Sequence, residues 1–360
     1  MRILHITAMD PLSPNSGIPA VLKALSDEQN MIEDTEAIVL SLIDKADKIE
    51  AQNFVHIEKS KLSSFLDSYK PDVAVFHSFY HLEYAYLSDL LSHKKIAYFI
   101  EPHGSFGHAA LKKSAIKKFV ADRTVFRQLI RKATGFIFTN EAEKKDSVYK
   151  SQNMLVIPNG VFEAVIHSSI KKTEKLRTDP VFYFLGRFDI NHKGLDYLLD
   201  AIEILDKKGK KYRFYFYGTG TDEQVKYVNN RVEKLKNMEV QNKGTIYGAE
   251  KKEALESACI LVLTSRYEGS PMTVLDALSY GNPCIVTPGT NVADEIEKNG
   301  LGWKCALGAN DIAKTIEFAA KDYELNSERF FEHTKKYALE KYSWPKIAKQ
   351  SVLEYESVLL

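Results

Sequence analysis

The sequence predicts a doubly wound α/β fold, laid down twice in succession. Three observations carry that expectation. Short β-branched and aromatic runs alternate with amphipathic segments along the chain, as in parallel strands buried on both faces with helices between them. The runs fall into two sets separated by a polar stretch. The length, 360 residues, exceeds what one ordinary core holds and suits two domains of roughly 150–200 residues.

The runs of the first half are Ile3–Thr7, Ala37–Leu40, Val73–His77, Ile96–Ile100, Phe136–Thr139 and Leu155–Ile157. Those of the second are Val181–Leu185, Tyr212–Tyr217, Ile260–Thr264 and Cys284–Thr287. Between the sets, Glu163–Pro180 is polar, charged and closed by a proline, which reads as a linker or an exposed excursion. The final segment, Trp344–Leu360, has an amphipathic helical pattern. These signs place a first domain over 1–165 and a second over 178–343.

Composition narrows the partners. Lys+Arg is 49 against Asp+Glu 48, a net charge of +1, so no global field draws nucleic acid. The hydrophobic share of 44% and charged share of 27% are those of a water-soluble globular chain. The apolar part of the opening MRILHITAMDP is too short for a signal peptide, and no run of 18 apolar residues follows. The expected location is cytoplasmic. Cys259, Cys284 and Cys305 are odd in number, unpaired in spacing and set in apolar surroundings, which predicts small core residues.

Open α/β sheets bind ligands at the carboxyl ends of their strands, so the loops after the runs are where chemistry belongs. The richest is Thr264–Thr287, TSRYEGSPMTVLDALSYGNPCIVT. A helix begins there near Met272 or Thr273, and its first N–H groups are a ready phosphate site. Glu268 and Asp276 are eight residues apart and suit the paired hydroxyls of a ribose or hexose. A solvated loop acid and a first-turn acid serving the helix dipole fit the pattern equally. A second loop, FLGRFDINHKG over Phe184–Gly194, turns at Gly186 and offers Arg187 and Lys193 to a diphosphate. Two ordinary surface cations are the alternative. A third, FIEPHGSF over Phe99–Phe106, presents His103 at a strand end, as a catalytic or a structural histidine. Gly17, Asn159-Gly160 and Gly218 are weaker pointers. The Gly218–Gly220 stretch lacks the third glycine of a dinucleotide fingerprint, since Glu223 stands there. No Asp-x-Asp, HExxH, GxSxG or P-loop occurs, so leaving-group charge must be met by cations and helix dipoles.

Taken in order, Ser16-Gly17, Pro102-His103-Gly104, Pro158-Asn159-Gly160, Gly186-Arg187, Lys193-Gly194, Gly218-Thr219-Gly220, Gly244, Glu268-Gly269 through Asp276, PGTNVADEI and YSWPKIA give a likeness over nearly the whole chain. The chain resembles glycosyltransferase family 4, the retaining GT-B glycosyltransferases. The resemblance implies two Rossmann-like domains facing a central cleft, acceptor side first and nucleotide-sugar donor side second, with the final helix returning to the first. It implies that Arg187 and Lys193 hold the donor diphosphate, Glu268 the sugar, Asp276 the ribose, and His103 the sugar near the reacting carbon. Thr290 and the backbone of Met272, Thr273 and Val274 would meet sugar or phosphate, and Gly17, Gly186 and Gly218 would let backbone approach the donor. The sequence departs from the family pattern at Ser16 (for Gly), Ser270-Pro271 (for Phe-Gly) and Asp276 (for Glu).

The activity so implied moves a hexose from a UDP- or GDP-sugar to a saccharide or lipid-linked saccharide, with no metal and no other cofactor required. A non-catalytic partner subunit and a nucleotide-sugar epimerase are the rival readings. Leu111–Lys132 carries eight cations against Asp122, with apolar residues interspersed. It reads either as a basic amphipathic helix on anionic lipid or as a solvated lysine-rich flank.

Overall fold

A computed structural model describes residues 1–10, 17–43, 53–112, 115–161 and 179–360. Ser16, Lys113 and nearly all of the 163–180 stretch lie outside the described residues. Contacts divide the chain into two units. One is Met1–Gly160 together with Ser343–Leu360, the other Val161–Tyr342.

The first unit holds seven strands: β1 (Arg2–Thr7), β2 (Glu36–Ser41), β3 (Phe54–His56), β4 (Val73–His77), β5 (Ala97–Glu101), β6 (Gly135–Phe138) and β7 (Asn153–Val156). They form one sheet in the order β3-β2-β1-β4-β5-β6-β7, every neighbour parallel. The second unit holds β8 (Val181–Leu185), β9 (Arg213–Tyr217), β10 (Glu239–Gly244), β11 (Ile260–Leu263), β12 (Cys284–Val286) and β13 (Gly302–Lys304). Their order is β10-β9-β8-β11-β12-β13, again all parallel. The doubly wound plan predicted from alternating runs is therefore present in each unit. Its physical cause is plain in the central strands β4, β8 and β11, buried at every position because helices cover both faces.

Three strands have no counterpart among the sequence runs. β3 and β13 are three residues long, and β10 is polar with every second residue exposed. All three lie on sheet edges, where one side faces no neighbour and continuous apolar sequence is not required.

The helices are α1 (Gly17–Gln29), α2 (Leu62–Tyr69), α3 (Leu82–His93), α4 (His108–Lys112), α5 (Ala115–Arg123), α6 (Arg127–Lys132), α7 (Glu141–Asp146), α8 (Leu195–Lys207), α9 (Asp222–Val232), α10 (Gly248–Ser257), α11 (Met272–Ser279), α12 (Ala293–Lys298), α13 (Ala309–Tyr342) and α14 (Trp344–Leu359). The basic stretch read as one amphipathic helix is interrupted by a turn at 124–126, between α5 and α6. Phe126 is the reason: it turns into the core, 3% exposed, against Phe79 and Tyr80. Helix α14 packs on α1, with Gln29 Nε2 donating to Ser351 Oγ at 2.9 Å and Phe99 stacked on Tyr355. Cys259, Cys284 and Cys305 are free and buried in the second core, as their setting predicts. No helix among the described residues is long and apolar enough to cross a membrane.

Candidate active site

In both sheets the strand order reverses where the first strand of the unit meets the fourth, at β1/β4 and at β8/β11. That switch point is where an open α/β sheet offers a crevice to a ligand.

In the second unit the loops after β8 and β11 converge there. The β8 loop is shaped by Asp189, whose Oδ1 accepts from His192 N at 3.0 Å and whose carbonyl accepts from Lys193 N at 2.8 Å. Gly194 then enters α8 at φ 62. A Cβ there would stand 2.1 Å from the Thr264 carbonyl oxygen, so only glycine brings the two loops this close. Gly218 is required for a similar reason, a Cβ there standing 1.9 Å from Gly186 O. Arg266 ties the loops from the other side. Its guanidinium grips Asp196 with two bonds, 2.9 and 2.6 Å, and also donates to Asn191 O at 2.6 Å. Burial pushes the Asp196 carboxyl up, but that fork and nearby backbone donors outweigh it and hold it below its ordinary value.

The side chains so placed meet at Glu268. Its Oε1 accepts from Lys193 Nζ and from Ser265 Oγ, each at 2.5 Å. Asn291 Nδ2 donates to the Glu268 carbonyl at 2.5 Å. His192 stacks on Tyr267, its Nε2 donating to Tyr267 O at 2.8 Å and lying 3.8 Å from Glu268 Oε2. Burial lowers the His192 pKa, so the ring is neutral near pH 7. Glu268 thus has one oxygen bonded by Lys193 and Ser265, and the other, among the described residues, faces only the distant His192. Arg187 is exposed, and among the described residues no hydrogen bond or ion pair holds its guanidinium.

Helix α11 starts at Met272 with Pro271 before it and no side-chain cap. Thr273 Oγ1 is buried there without a hydrogen-bond partner among the described residues. Val274 is buried, and Asp276 pairs with Lys251 at 2.6 Å. Gly281 follows the helix at φ 81, the stop its sequence position predicts. Thr290 is buried, and its hydroxyl donates to Thr287 O at 2.7 Å. Gly186 lies at the end of β8, whereas Gly17 opens α1 in the other unit. Sequence reading passed over His192, Ser265, Asn291 and Lys251.

In the first unit His103 sits in the left-handed region at φ 47, followed by Gly104 at φ 84. A non-glycine residue held there is a strained position that its surroundings must over-determine. Glu143 does so. Its Oε1 accepts from Gly104 N at 2.6 Å, and its Oε2 from Thr139 N at 2.9 Å and Thr139 Oγ1 at 2.5 Å. His103 Nε2 meets His77 Nδ1 at 3.2 Å, and its Nδ1 lies 3.5 Å from Glu101 Oε1. Behind His77 lies His5, Nε2 to Nδ1 at 2.9 Å. Burial lowers the pKa of all three histidines, to about 3 for His5 and His77, and raises that of Glu101. Of this set the sequence singled out only His103. His5 and His77 sit inside apolar runs, which reads as core.

Comparison with known proteins gives the following. Residues 165–337 match the family described as glycosyl transferases group 1. The poly(ribitol-phosphate) alpha-N-acetylglucosaminyltransferase of Staphylococcus aureus (strain COL) is 27% identical over 221 residues, 59% of this chain and 42% of that protein. The lipopolysaccharide 1,6-galactosyltransferase of Escherichia coli (strain K12) is 24% identical over 238 residues, 62% of this chain and 58% of that protein. The chain therefore spans about half the length of the curated relatives it matches. Among solved structures, Anabaena HepE in complex with UDP and glucose superposes with a TM-score of 0.75 at 15% identity, covering 99% of this chain and 100% of that one. That likeness establishes the fold, two Rossmann-like domains of the GT-B kind.

Proposed function

Because residues 165–337 of this chain match the family of group 1 glycosyl transferases, we propose that the protein moves a hexose from a nucleoside diphosphate onto a saccharide hydroxyl, with retention. UDP is the favoured carrier and GDP the second choice. The observation that carries the reading is the β8/β11 crevice. It offers the exposed Arg187, which has no partner among the described residues, the start of α11 without a side-chain cap and with the Thr273 hydroxyl unpartnered among the same residues, and Glu268 with one oxygen available. The first two are what a diphosphate asks for, and the third is what a sugar diol asks for.

In this reading negative charge grows on the leaving phosphate as the glycosidic bond breaks, and Arg187, Lys193 and the helix start stabilise it. Lys193 has a second task in the ground state, holding Glu268 Oε1 so that Oε2 faces the sugar. Asp276, held by Lys251, is assigned to the ribose. The acceptor hydroxyl attacks on the face the phosphate leaves, and that phosphate takes its proton. No enzyme nucleophile and no bound metal enter the scheme.

Two relatives are named for poly(ribitol-phosphate) and for lipopolysaccharide. This supports an acceptor in cell-envelope or exopolysaccharide assembly. Peripheral membrane contact belongs to the same proposal. Helix α5 and the turn after it expose Ile116 (82%), Phe119 (55%), Val120 (54%) and Val125 (44%) among cations. Co-sedimentation that ignores the anionic lipid content of liposomes removes that part. The transfer reading is tested by thermal shift against UDP, GDP, ADP, CMP and dTDP with EDTA present. A selective rise that survives EDTA supports it, since ligand binding to the native state stabilises by mass action. No rise with any nucleotide favours a non-catalytic subunit.

A further inference from the structure

A row of buried hydrogen bonds runs through the first unit from α14 to His103, and its direction can be worked out atom by atom. It starts at Ser351 Oγ, which donates its one proton to Ala348 O at 2.7 Å. The serine oxygen must therefore accept from its other neighbour, Gln29, 2.9 Å away. This fixes the Gln29 amide, whose NH2 faces Ser351 and whose Oε1 faces His5 Nε2 at 2.8 Å. His5 Nε2 must then carry a hydrogen. A neutral imidazole has one N–H, so His5 Nδ1 is bare and accepts from His77 Nε2 at 2.9 Å. By the same rule His77 Nδ1 is bare. Among the described residues two groups face it, Glu101 Oε2 at 3.1 Å and His103 Nε2 at 3.2 Å. Only His103 Nε2 has the alignment of a hydrogen bond.

We propose that Ser351 of the terminal helix sets the tautomer of His103 through Gln29, His5 and His77, so that His103 carries its hydrogen on Nε2 and keeps Nδ1 bare. Ser351 and Gln29 are positioning residues, far along the chain from the histidine they orient. The relay needs neutral imidazoles. Ser351, Gln29, His5 and His77 are all fully buried, and burial disfavours the charged form of each histidine. An unconstrained Gln29 could turn over its amide at no cost in shape. His5 and His77 would then reverse, placing a hydrogen on His77 Nδ1 toward the Glu101 carboxylate. Ser351 opposes this, because its hydroxyl would have to give up Ala348 O to donate to the turned amide oxygen.

The proposal concerns the chain's own hydrogen bonds, so its failure is separable from that of the transfer reading. The test is nitrogen-15 long-range NMR of the imidazoles in the full chain, which distinguishes a protonated ring nitrogen from a bare one. Expected in the unmodified protein is a bare Nδ1 and a protonated Nε2 at His5, His77 and His103 alike. A hydrogen on Nδ1 of any of the three at neutral pH overturns the proposal. So does a change in the His77 and His103 signals on treatment with EDTA, because their ring nitrogens and Glu101 lie within 4.8 Å of one another and would then be metal ligands. Ser351→Ala should release the row and give mixed tautomers at His5 and His77, whereas Ser351→Thr, which keeps the hydroxyl, should preserve the original pattern. A single unchanged tautomer in S351A assigns the ordering to some other group and refutes the role of Ser351. Thermal melting of both variants identifies any loss of fold, and the measurement on the unmodified chain does not depend on either.

Discussion

Substituting Gly194 separates two effects that usually travel together. The residue sits at φ 62, and its missing Cβ would stand 2.1 Å from Thr264 O. A left-handed conformation costs an ordinary residue about 1–2 kcal/mol. The collision is a second cost. The blocking atom is backbone, so relief requires moving β11 or the loop by about an ångström, comparable to overpacking at ~1–3 kcal/mol. Gly194→Ala should therefore destabilise by about 2–5 kcal/mol. In a unit of roughly 180 residues that lowers its melting temperature by about 5–15 °C. Gly194→Asn discriminates between the causes, since asparagine tolerates positive φ but carries the same Cβ. If steric contact dominates, Asn and Ala should melt within a few degrees of each other. Calorimetry of the three proteins reads the result. A G194A protein that melts with the parent refutes the close approach, and an Asn variant that restores parental stability refutes the steric part.

Other substitutions test the site itself. Arg187→Ala should leave melting within about 2 °C of the parent, because the side chain is exposed and has no partner among the described residues. It should weaken nucleotide diphosphate binding at least tenfold by titration calorimetry, and equal affinity removes Arg187 from the donor site. Arg266→Ala should cost about 1 kcal/mol at pH 7, the pair being 23% and 35% exposed. The folded protein holds Asp196 below its ordinary pKa, so its stabilisation is present above about 3.8 and fades as pH falls through the lowered value. The cost of R266A should accordingly shrink by pH 3 in denaturant titrations, and a pH-independent cost contradicts the ion pair. Glu143→Ala strips acceptors from two backbone N–H groups and should cost about 2–5 kcal/mol. Hydrogen exchange at Gly104 should quicken more than at Leu4 in the core, and unchanged protection there denies the carboxylate its part in holding the His103 loop.

What the sequence disclosed follows from how far apart partners lie. Runs such as Val181–Leu185 are local and buried on both faces, so apolar continuity announces them. β10 is half exposed, so nothing in its composition does. Glu268 and His103 stand out because glycine, proline and a polar group crowd a strand end, and Lys193 because its loop turns at Gly186 and closes on Gly194. That Lys193 and Glu268 touch is a fact about residues 75 positions apart. Glu143 and His77 were missed for a related cause. One sits in an ordinary charged helix, the other in an apolar strand, and each acquires meaning only through loops that fold back from elsewhere.

The division of the chain has a consequence for its synthesis. The second unit is a contiguous block, Val161–Tyr342, set inside the sequence of the first, and Val161 N bonds to Tyr342 O at 2.6 Å to close it. On a ribosome the inserted block can be complete while the surrounding unit still lacks α14. The first unit emerges earlier yet finishes later, waiting with the α1 surface and Gln29 uncovered until the last helix arrives.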